Sequence, residues 1–331
     1  MVKKRIPWAP PRTPFTIAHV AHLGVTARRL DSAHRCGQIT RLRQGVYIAS
    51  ESMPDDPVDL HLLRALAEQV ATPGLVASRE TAAMAHGLPL HRTHRSAADA
   101  VHLTRADGAA VRSQRRTGRA IHVARLPEHH VVTLPSGLVV TARPRTAVDL
   151  ASQWSLPEGL MVLDAAARAE FVELAGSPDP RHYDNARLRR AARVPLAEAV
   201  GAVAGRGSAR RLSAVLDLVD VRRESPLESF SGGHFHLAGL PEPVPQARVR
   251  AAGRSYRVDF LWKEYGLVGE ADGEGKYTGS GAYVDEKVRE QHLVDAGFVV
   301  VRWVGREAFA RPSAVVDRVA RALAARGWPG S

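Results

Sequence analysis

The chain has 331 residues, of which 45% are hydrophobic and 24% are charged, a composition that predicts a globular protein and not an intrinsically disordered one. Its 46 lysines and arginines outnumber its 34 aspartates and glutamates, and the formal net charge of +12 predicts a polyanionic partner, first of all nucleic acid. The arginine-rich usage of a high-GC genome is an alternative explanation of this charge. The single cysteine, Cys36, excludes a disulfide framework and a cysteine-based zinc site.

The first residues do not have the pattern of an export signal. The segment MVKKRIPWAPPR is basic but contains no apolar stretch of signal-peptide length. No later run of about 18 uncharged apolar residues, the length that a transmembrane helix needs, is present in the sequence. We therefore expect a cytoplasmic protein without a membrane span.

A pattern of two helices and two short strands begins near residue 15. Gly24 is predicted to end a first short helix, and Thr26 can cap a second one that runs to about Arg35. Two strands then follow, Ile39–Leu42 and Val46–Ala49. The basic side chains that this arrangement would present to DNA are Arg28, Arg29, Arg35, Arg41 and Arg43. A helical hairpin that serves only for packing is the alternative.

Two motifs in this region carry a family resemblance. They are Gly24-Val25-Thr26 and Gly37-x-Ile39-x-Arg41-Leu42-x-x-Gly45-Val46-Tyr47. With them the chain resembles the winged-helix N-terminal domain of the AbiEi antitoxins, and a weaker similarity continues through ASRETAAMAHGLPL and TARPRTAVDLA to about residue 170. The resemblance implies a winged helix-turn-helix at 10–55 and an α+β domain at 56–175. It also implies transcription regulation in a type IV toxin–antitoxin system with a cognate toxin, or use of the domain to bind protein.

The middle of the chain contains two features whose function stays open. His91 and His94 have the spacing of metal ligands, but Pro89 and the polar context favour solvated loop histidines throughout residues 86–130. Helices are predicted at 158–174 and 196–219. The Pro/Gly/Arg-rich connection GSPDPRHYDNARLRR joins them, and we predict a helical linker region at 176–221. Four arginines of this linker either contact a phosphate backbone or form a solvated helix face: Arg187, Arg189, Arg190 and Arg193.

A second unit is predicted from residue 222. Pro226 suits the first turn of a helix, along which Glu224 and Glu228 share one face. Each glycine of the Gly232-Gly233 pair costs about 1 kcal/mol in a helix relative to alanine, so we expect a kinked or frayed helix there.

Three acidic residues lie on the two strands that follow this helix. Alternation along Tyr256–Trp262 predicts that Val258 and Phe260 face one side of the sheet and Asp259 the other. The next strand, Leu267–Asp272, carries Glu270 and Asp272 on one face. If Lys263–Gly266 joins the strands as a hairpin, the three carboxylates converge, and a divalent cation such as Mg²⁺ relieves their repulsion. Such a site can activate water for phosphodiester hydrolysis, with Lys276 or Lys287 nearby.

The order of these residues carries a second resemblance. The motifs are Glu224-Ser225-Pro226-x-Glu228-Ser229, Val258-Asp259-Phe260, Glu270-x-Asp272-Gly273-x-x-Lys276-Tyr277, Glu286-Lys287-x-Arg289-Glu290 and Val301-Arg302-Trp303. Residues 222–328 with these motifs resemble the PD-(D/E)XK nucleases, and most closely the very-short-patch-repair-like endonuclease domains. The resemblance implies that Asp259 is the central metal ligand, that Glu270 or Asp272 is the second, and that Glu228 completes the shell.

One position departs from the superfamily pattern. Asp272 stands where a lysine is expected, so Lys276 or Lys287 must replace it, unless the metal alone drives the chemistry. A nuclease fold without activity and a set of scattered surface charges are the alternatives. We expect an α+β half with a winged helix-turn-helix, then a three-layer α/β/α restriction-endonuclease-like half. The expected function is a Mg²⁺- or Mn²⁺-dependent DNA endonuclease, and the rival is a catalytically silent DNA-binding regulator.

Overall fold

The computed structural model describes residues 8–91, 100–106, 114–116, 118–203, 206–273 and 280–330, without the side chains of 114–116, 206–209 and 280–284. Two compact units of mixed helices and sheets divide the chain, Met1–Asp149 and Leu150–Ser331. No helix in the described residues is both long and apolar enough to cross a membrane.

The first unit begins with the predicted pair of helices and pair of strands. The helices are α1 (Ile17–Val20), continued by a short 3₁₀ turn, and α2 (Ala27–Arg35), and the strands are β1 (Ile39–Arg43) and β2 (Val46–Ala49). The hydroxyl of Thr26 caps α2 by accepting a hydrogen bond from the backbone N–H of Arg29 at 3.3 Å. The prediction of these four elements is confirmed, because turn, cap and apolar spacing all indicate the same local structure.

A mixed sheet of six strands forms the rest of this unit. In chain order its elements are α3 (Pro57–Ala71), β3 (Leu75–Ala77), α4 (Arg79–Ala85), β4 (Val101–Arg105), β5 (Gln114–Arg116), β6 (Arg119–Val123), β7 (Val131–Thr133), β8 (Val139–Thr141) and α5 (Arg143–Ala151). The strand order is β5-β6-β4-β3-β8-β7, with β3 parallel to β8 and β4 parallel to β6.

Two histidines of this unit correct the expectation of solvated loop positions. His102 lies in β4, is buried, and has its Nδ1 3.1 Å from Nε2 of His122. His130 is also buried, with its ring next to the guanidinium of Arg145. The polar sequence around these histidines suggested exposure to solvent. They are buried because hydrogen bonds to neighbouring side chains replace those that a histidine makes to water. His94 lies outside the described residues.

In the described residues, five α-helices come before the sheet of the second unit. They are α6 (Leu156–Ala175), α7 (Ala186–Ala191), α8 (Val194–Val203), α9 (Arg206–Asp217) and α10 (Pro226–Leu237). The helix predicted at 158–174 is confirmed, whereas the segment predicted as one helix at 196–219 contains α8 and α9. The division between the units does not coincide with the domain boundaries predicted at 175/176 and 221/222, since α6 packs against α10 inside the second unit.

The sheet of the second unit has four strands with helices on both faces. Its strands are β9 (Val244–Ala251), β10 (Arg254–Trp262), β11 (Leu267–Asp272) and β12 (Val299–Val304). Helix α11 (Ser280–Asp295) lies between β11 and β12 in the chain, and α12 (Gly305–Ala310) and α13 (Pro312–Ala325) follow β12. The strand order is β12-β11-β10-β9, and only β11 and β12 are parallel among these pairs. The hairpin predicted between β10 and β11 is therefore confirmed.

Gly232 and Gly233 lie inside α10, which continues without a break to Leu237, so the predicted fraying is wrong. A Cβ atom at Gly233 would lie 2.6 Å from the Cα of Pro157 in α6, and one at Gly232 would lie 2.9 Å from Nε of Arg223. The two glycines thus allow helix α10 to approach its neighbours closely. Tertiary packing of this kind outweighs the intrinsic helix propensity of glycine.

The predicted alternation along β10 breaks at Asp259. Val258 packs in the apolar cluster that contains Leu293 of α11, whereas Phe260 packs in the cluster on the opposite face with Phe235 of α10. The ladder between β9 and β10 omits Asp259 and the residue opposite, Gln246, whose φ of 49° is left-handed. This local irregularity turns both side chains away from a regular pleat.

Candidate active site

The candidate site lies where β10 and β11 separate. Their antiparallel register ends at the pair Phe260 and Gly269. Beyond this pair Oδ2 of Asp259 accepts a hydrogen bond of 2.8 Å from the backbone N–H of Ala271. The carboxylate therefore occupies the space between the two strands and replaces the backbone acceptor that a continued ladder would supply.

Helix α10 supplies Glu228 to this site, and the local sequence fixes its position. Ser225 caps the helix by accepting from the N–H of Glu228, and its hydroxyl donates to Oε1 of Glu228 at 2.8 Å. The backbone N–H of Glu224 donates to Oε2 at 3.0 Å. The cap residue and the residue before it thus both donate to the carboxylate of Glu228, so the helix start itself orients this buried acid.

Gln246 joins Glu228 to Asp259. Its Nε2 donates to Oε2 of Glu228 at 3.0 Å and to Oδ1 of Asp259 at 2.9 Å. The backbone carbonyl of Gln246 accepts from Arg257 at 2.9 Å. One neutral amide group thus holds two acidic side chains that would otherwise repel each other.

Glu270 of β11 is buried and pairs with an arginine of α11. Nη2 of Arg289 donates to Oε1 of Glu270 at 2.7 Å, and the same guanidinium donates to the backbone carbonyl of Arg257 at 2.6 Å. Glu286, one turn earlier on α11, accepts from Nη1 of Arg289 at 3.1 Å. Glu270 therefore has a cationic partner within the chain.

Asp272, two residues further along β11, is paired with a different arginine. Arg302 of β12 donates to both carboxylate oxygens of Asp272, at 3.0 and 3.3 Å. The same guanidinium also contacts Glu286, and donates to Glu290 at 3.1 Å. The charge of Asp272 is thus balanced by Arg302.

The acids around Asp259 have unusual protonation equilibria. Burial, and then the charge of Asp259, raise the pKa of Glu228 to about 7. The same two causes raise the pKa of Glu270 to about 8, against the opposing charges of Arg289 and Arg302. Asp259 is therefore electrostatically coupled to an acid on either side, and bringing positive charge to this group would favour the ionised forms.

The predicted metal ligands are Glu228, Asp259, Glu270 and Asp272. Among the described residues, no three His, Cys, Asp or Glu side chains form a group that could hold a metal ion. Carboxylate oxygens are the ligands that a hard divalent cation prefers, and Asp259 with its two neighbouring acids supplies such oxygens, although not in a preformed group of three. Asp272 is paired with Arg302 instead.

The two predicted lysines are placed differently. Lys276 lies outside the described residues. The side chain of Lys287 is 57% exposed, and its Nζ lies 3.5 Å from Oε2 of Glu290. Lys287 therefore extends from α11 toward solvent and ends next to an acid that Arg302 also contacts.

Sequence reasoning assigned no role to Gln246, Arg289 or Arg302. The sequence gives the weakest signal for Gln246, since a single glutamine in a strand indicates no function unless its partner on the neighbouring strand is known. Its one signal is a polar residue inside the apolar segment VPQARV. Arg289 and Arg302 lie in the motif segments, but their pairing with Glu270 and Asp272 depends on how α11 and β12 meet β11.

In the first unit, the basic residues predicted to bind DNA are placed unequally. Arg28, Arg35 and Arg41 are exposed, and Arg35 forms a solvent-exposed ion pair with Asp31. The guanidinium of Arg29 lies over the ring of Trp8, 5.8 Å from its centre. Arg43 is 2.6 Å from Oε2 of Glu68 in α3 and largely shielded, so this arginine serves the fold.

Comparison with known proteins identifies relatives without an assigned activity. No known family model matches the chain. Two Mycobacterium tuberculosis proteins, uncharacterized protein MT2308 of strain CDC 1551 / Oshkosh and uncharacterized protein Rv2248 of strain H37Rv, are each 29% identical over 305 residues, which is 90% of this chain and 97% of theirs. The solved structure of the RV2827C protein from Mycobacterium tuberculosis gives a TM-score of 0.35 at 12% identity, over 73% of this chain and 84% of that one.

Proposed function

We propose that the second unit hydrolyses phosphodiester bonds of DNA with Mg²⁺ or Mn²⁺, and that the first unit holds the DNA through a winged helix-turn-helix. In this proposal α10, β9–β12 and α11 form a restriction-endonuclease-like core. The exposed arginines on α2 and the β1–β2 hairpin, Arg28, Arg35 and Arg41, contact phosphate groups.

The observation that carries the proposal is the meeting of three acids from three elements. Glu228 comes from α10, Asp259 from β10 and Glu270 from β11, and the charge of Asp259 acts on each of the other two where two central strands separate. Burying acids together reduces stability, so their conjunction favours a functional role over chance. Scattered surface charges would be exposed, whereas Glu228 and Glu270 are each only 4% exposed.

Each residue has a distinct part in the proposed site. Asp259 and Glu270 would hold the cation, which when bound would neutralise phosphoryl charge and lower the pKa of an attacking water. Gln246 orients Asp259 and Glu228 through its amide group. Arg289 fixes the rotamer of Glu270 by donating a hydrogen bond of 2.7 Å to Oε1. Asp272 and Arg302 hold β11 and β12 to α11 at the edge of the site.

A second candidate function is a DNA-binding regulator without catalysis, which acts as the antitoxin of a neighbouring toxin. The observation that favours it is that arginines pair with both acids of the β11 motif, Glu270 with Arg289 and Asp272 with Arg302. With Asp272 at the usual lysine position, this part of the site balances its charge within the chain. In the proposed endonuclease, a cation must therefore compete with Arg289 for the carboxylate of Glu270.

Incubation of the purified full-length protein with supercoiled plasmid and with a mismatched duplex tests the two functions. Nicking that requires Mg²⁺ or Mn²⁺, and that is lost in Asp259→Asn, supports the endonuclease. DNA binding without cleavage of any DNA or RNA tested, with either metal, supports the silent regulator instead.

A further inference from the structure

The second unit contains a cleft of about 790 Å³ whose lining includes none of the acidic residues of the candidate active site. One wall comes from α7 and the turn after it, with Arg189, Arg190 and Arg193. The facing walls are the segments 217–223 and 239–245. A cleft of this size is in the range of binding sites for small ligands or parts of larger ones.

The arginines of the α7 wall keep much of their positive charge available. Arg189 and Arg193 donate to backbone carbonyl groups, those of Tyr183 and Leu216, and such neutral acceptors do not cancel charge. The carboxylate nearest to Arg193 is that of Asp217, at 3.8 Å and 87% exposed, where an ion pair contributes little. Arg190 is exposed, and its side chain makes no hydrogen bond or ion pair with the described part of the chain.

The other basic residues of the cleft are balanced by acids. Arg222 forms a fork with both carboxylate oxygens of Asp220, and the buried Arg223 pairs with Asp164 at 3.1 Å. The attraction for an anion is therefore directed to one side, the α7 wall. A single basic wall opposite a charge-balanced one suits one strand of phosphates better than a compact, fully enclosed anion.

The cleft adjoins the candidate active site. Pro245 lines the cleft, and the next residue, Gln246, contacts Glu228 and Asp259. Arg223 also lines the cleft, and the next backbone N–H, that of Glu224, donates to Glu228. The cleft and the acidic site therefore share two chain segments, the start of β9 and the residues before α10.

We propose that this cleft binds backbone phosphates of a nucleic acid next to the bond placed at Asp259, with Arg190 as the main phosphate contact. Its connection to cleavage rests on the proposed function, whereas its affinity for nucleic acid does not. Guanidinium groups recognise phosphate through paired N–H donors, and two of the three arginines are already held in place by a carbonyl.

The test measures binding of a fluorescent DNA oligonucleotide by anisotropy in EDTA, over a series of salt concentrations. The full-length protein carries Arg28→Gln, Arg35→Gln and Arg41→Gln, so that binding by the first unit is reduced. Adding Arg190→Glu should weaken affinity and make the slope of log K against log salt shallower by up to about 0.9. The matched control is Arg187→Glu, an exposed position on the same helix that does not line the cleft.

Three results overturn the inference. Equal losses in Arg190→Glu and Arg187→Glu would show a general effect of charge. An unchanged affinity in Arg190→Glu would show that DNA does not enter the cleft. Competition by inorganic phosphate or a mononucleotide as strong as by an oligonucleotide would indicate a small-anion site. A protein that cuts no DNA, yet loses affinity specifically in Arg190→Glu, would refute the endonuclease while supporting the cleft.

Discussion

Gln246 and Asp259 face each other across β9 and β10, and Nε2 of Gln246 lies 2.9 Å from Oδ1 of Asp259. Neither residue belongs to the ladder that pairs the strands on both sides of them. A left-handed backbone at a residue other than glycine costs about 1–3 kcal/mol and persists where its surroundings impose it. The hydrogen bonds to Glu228 and Asp259 are the contacts that hold Gln246 in this conformation.

Replacing Gln246 by alanine and by glycine separates its side chain from its backbone. Both changes remove the shared amide donor, but glycine adopts a positive φ without strain. We expect Gln246→Ala to lower the free energy of unfolding by about 1–3 kcal/mol, and Gln246→Gly to lower it by about 1 kcal/mol less. Urea unfolding at pH 8 measures both. A glycine variant less stable than the alanine variant would contradict the proposed strain.

Asp259→Asn should abolish metal-dependent nicking and leave duplex binding nearly unchanged. The asparagine keeps the shape and one acceptor oxygen but removes the charge that attracts a cation. Plasmid nicking and anisotropy measure the two properties. Asp295→Asn, at an exposed position near the end of α11, is the matched control and should cut at the parent rate. Full activity in Asp259→Asn would refute the assigned site.

Glu270→Gln should change how stability depends on pH. Because the folded pKa of Glu270 is about 8 and its ordinary value is 4.5, the folded state retains a proton that the unfolded state loses. This contribution favours folding at low pH and is lost as pH rises from about 4.5 to about 8. The variant has no such contribution to lose. The melting temperature of the parent should therefore fall relative to that of the variant between pH 5 and pH 8. A constant difference would mean that Glu270 ionises normally.

The two lysines should differ in their effect on cleavage. Lys287→Ala should cut at nearly the parent rate, because this side chain is 57% exposed and lies next to Glu290. If a lysine assists proton transfer, Lys276→Ala should reduce the rate by about 10²–10⁴-fold. Single-turnover nicking measures both. Equal parent-like rates in the two variants would leave the cation as the sole driver of the chemistry.

Removing Arg28, Arg35 and Arg41 together, each as glutamine, should weaken DNA binding by the full-length protein. Each lost phosphate contact reduces the salt slope of log K by about 0.9, so three contacts would change it by about 2.7. The control is Arg64→Gln, an exposed arginine on α3. A slope equal to that of the parent would indicate that α2 packs against protein, as the alternative of a helical hairpin requires.

Sequence patterns predicted the elements of the second unit well, because their signals are local. Ser225 and Pro226 mark the start of α10, and Gly266 ends the connection between β10 and β11 with a positive φ. The acidic positions Asp259 and Glu270 were found for the same reason, since an acid within an apolar strand is conspicuous. These features need no knowledge of what lies across the sheet.

What the sequence did not reveal depends on contacts between distant segments. The alternation rule failed at Asp259 because its cause, the backbone of Gln246, lies 13 residues away and is opposite only in the folded ladder. Arg302 became the partner of Asp272 because β12 is parallel to β11, a choice that no local pattern fixes. Likewise Gly233 suggests a weak helix until Pro157 is known to pack against it.

That contact between Gly233 and Pro157 bears on how the acidic half could have been acquired or transferred in evolution. A polypeptide starting at residue 222 would lack α6, so it would expose the glycine face of α10 and remove Asp164, the acid that pairs with Arg223. Gene fusions that transfer the acids as a folded unit should therefore join upstream of α6.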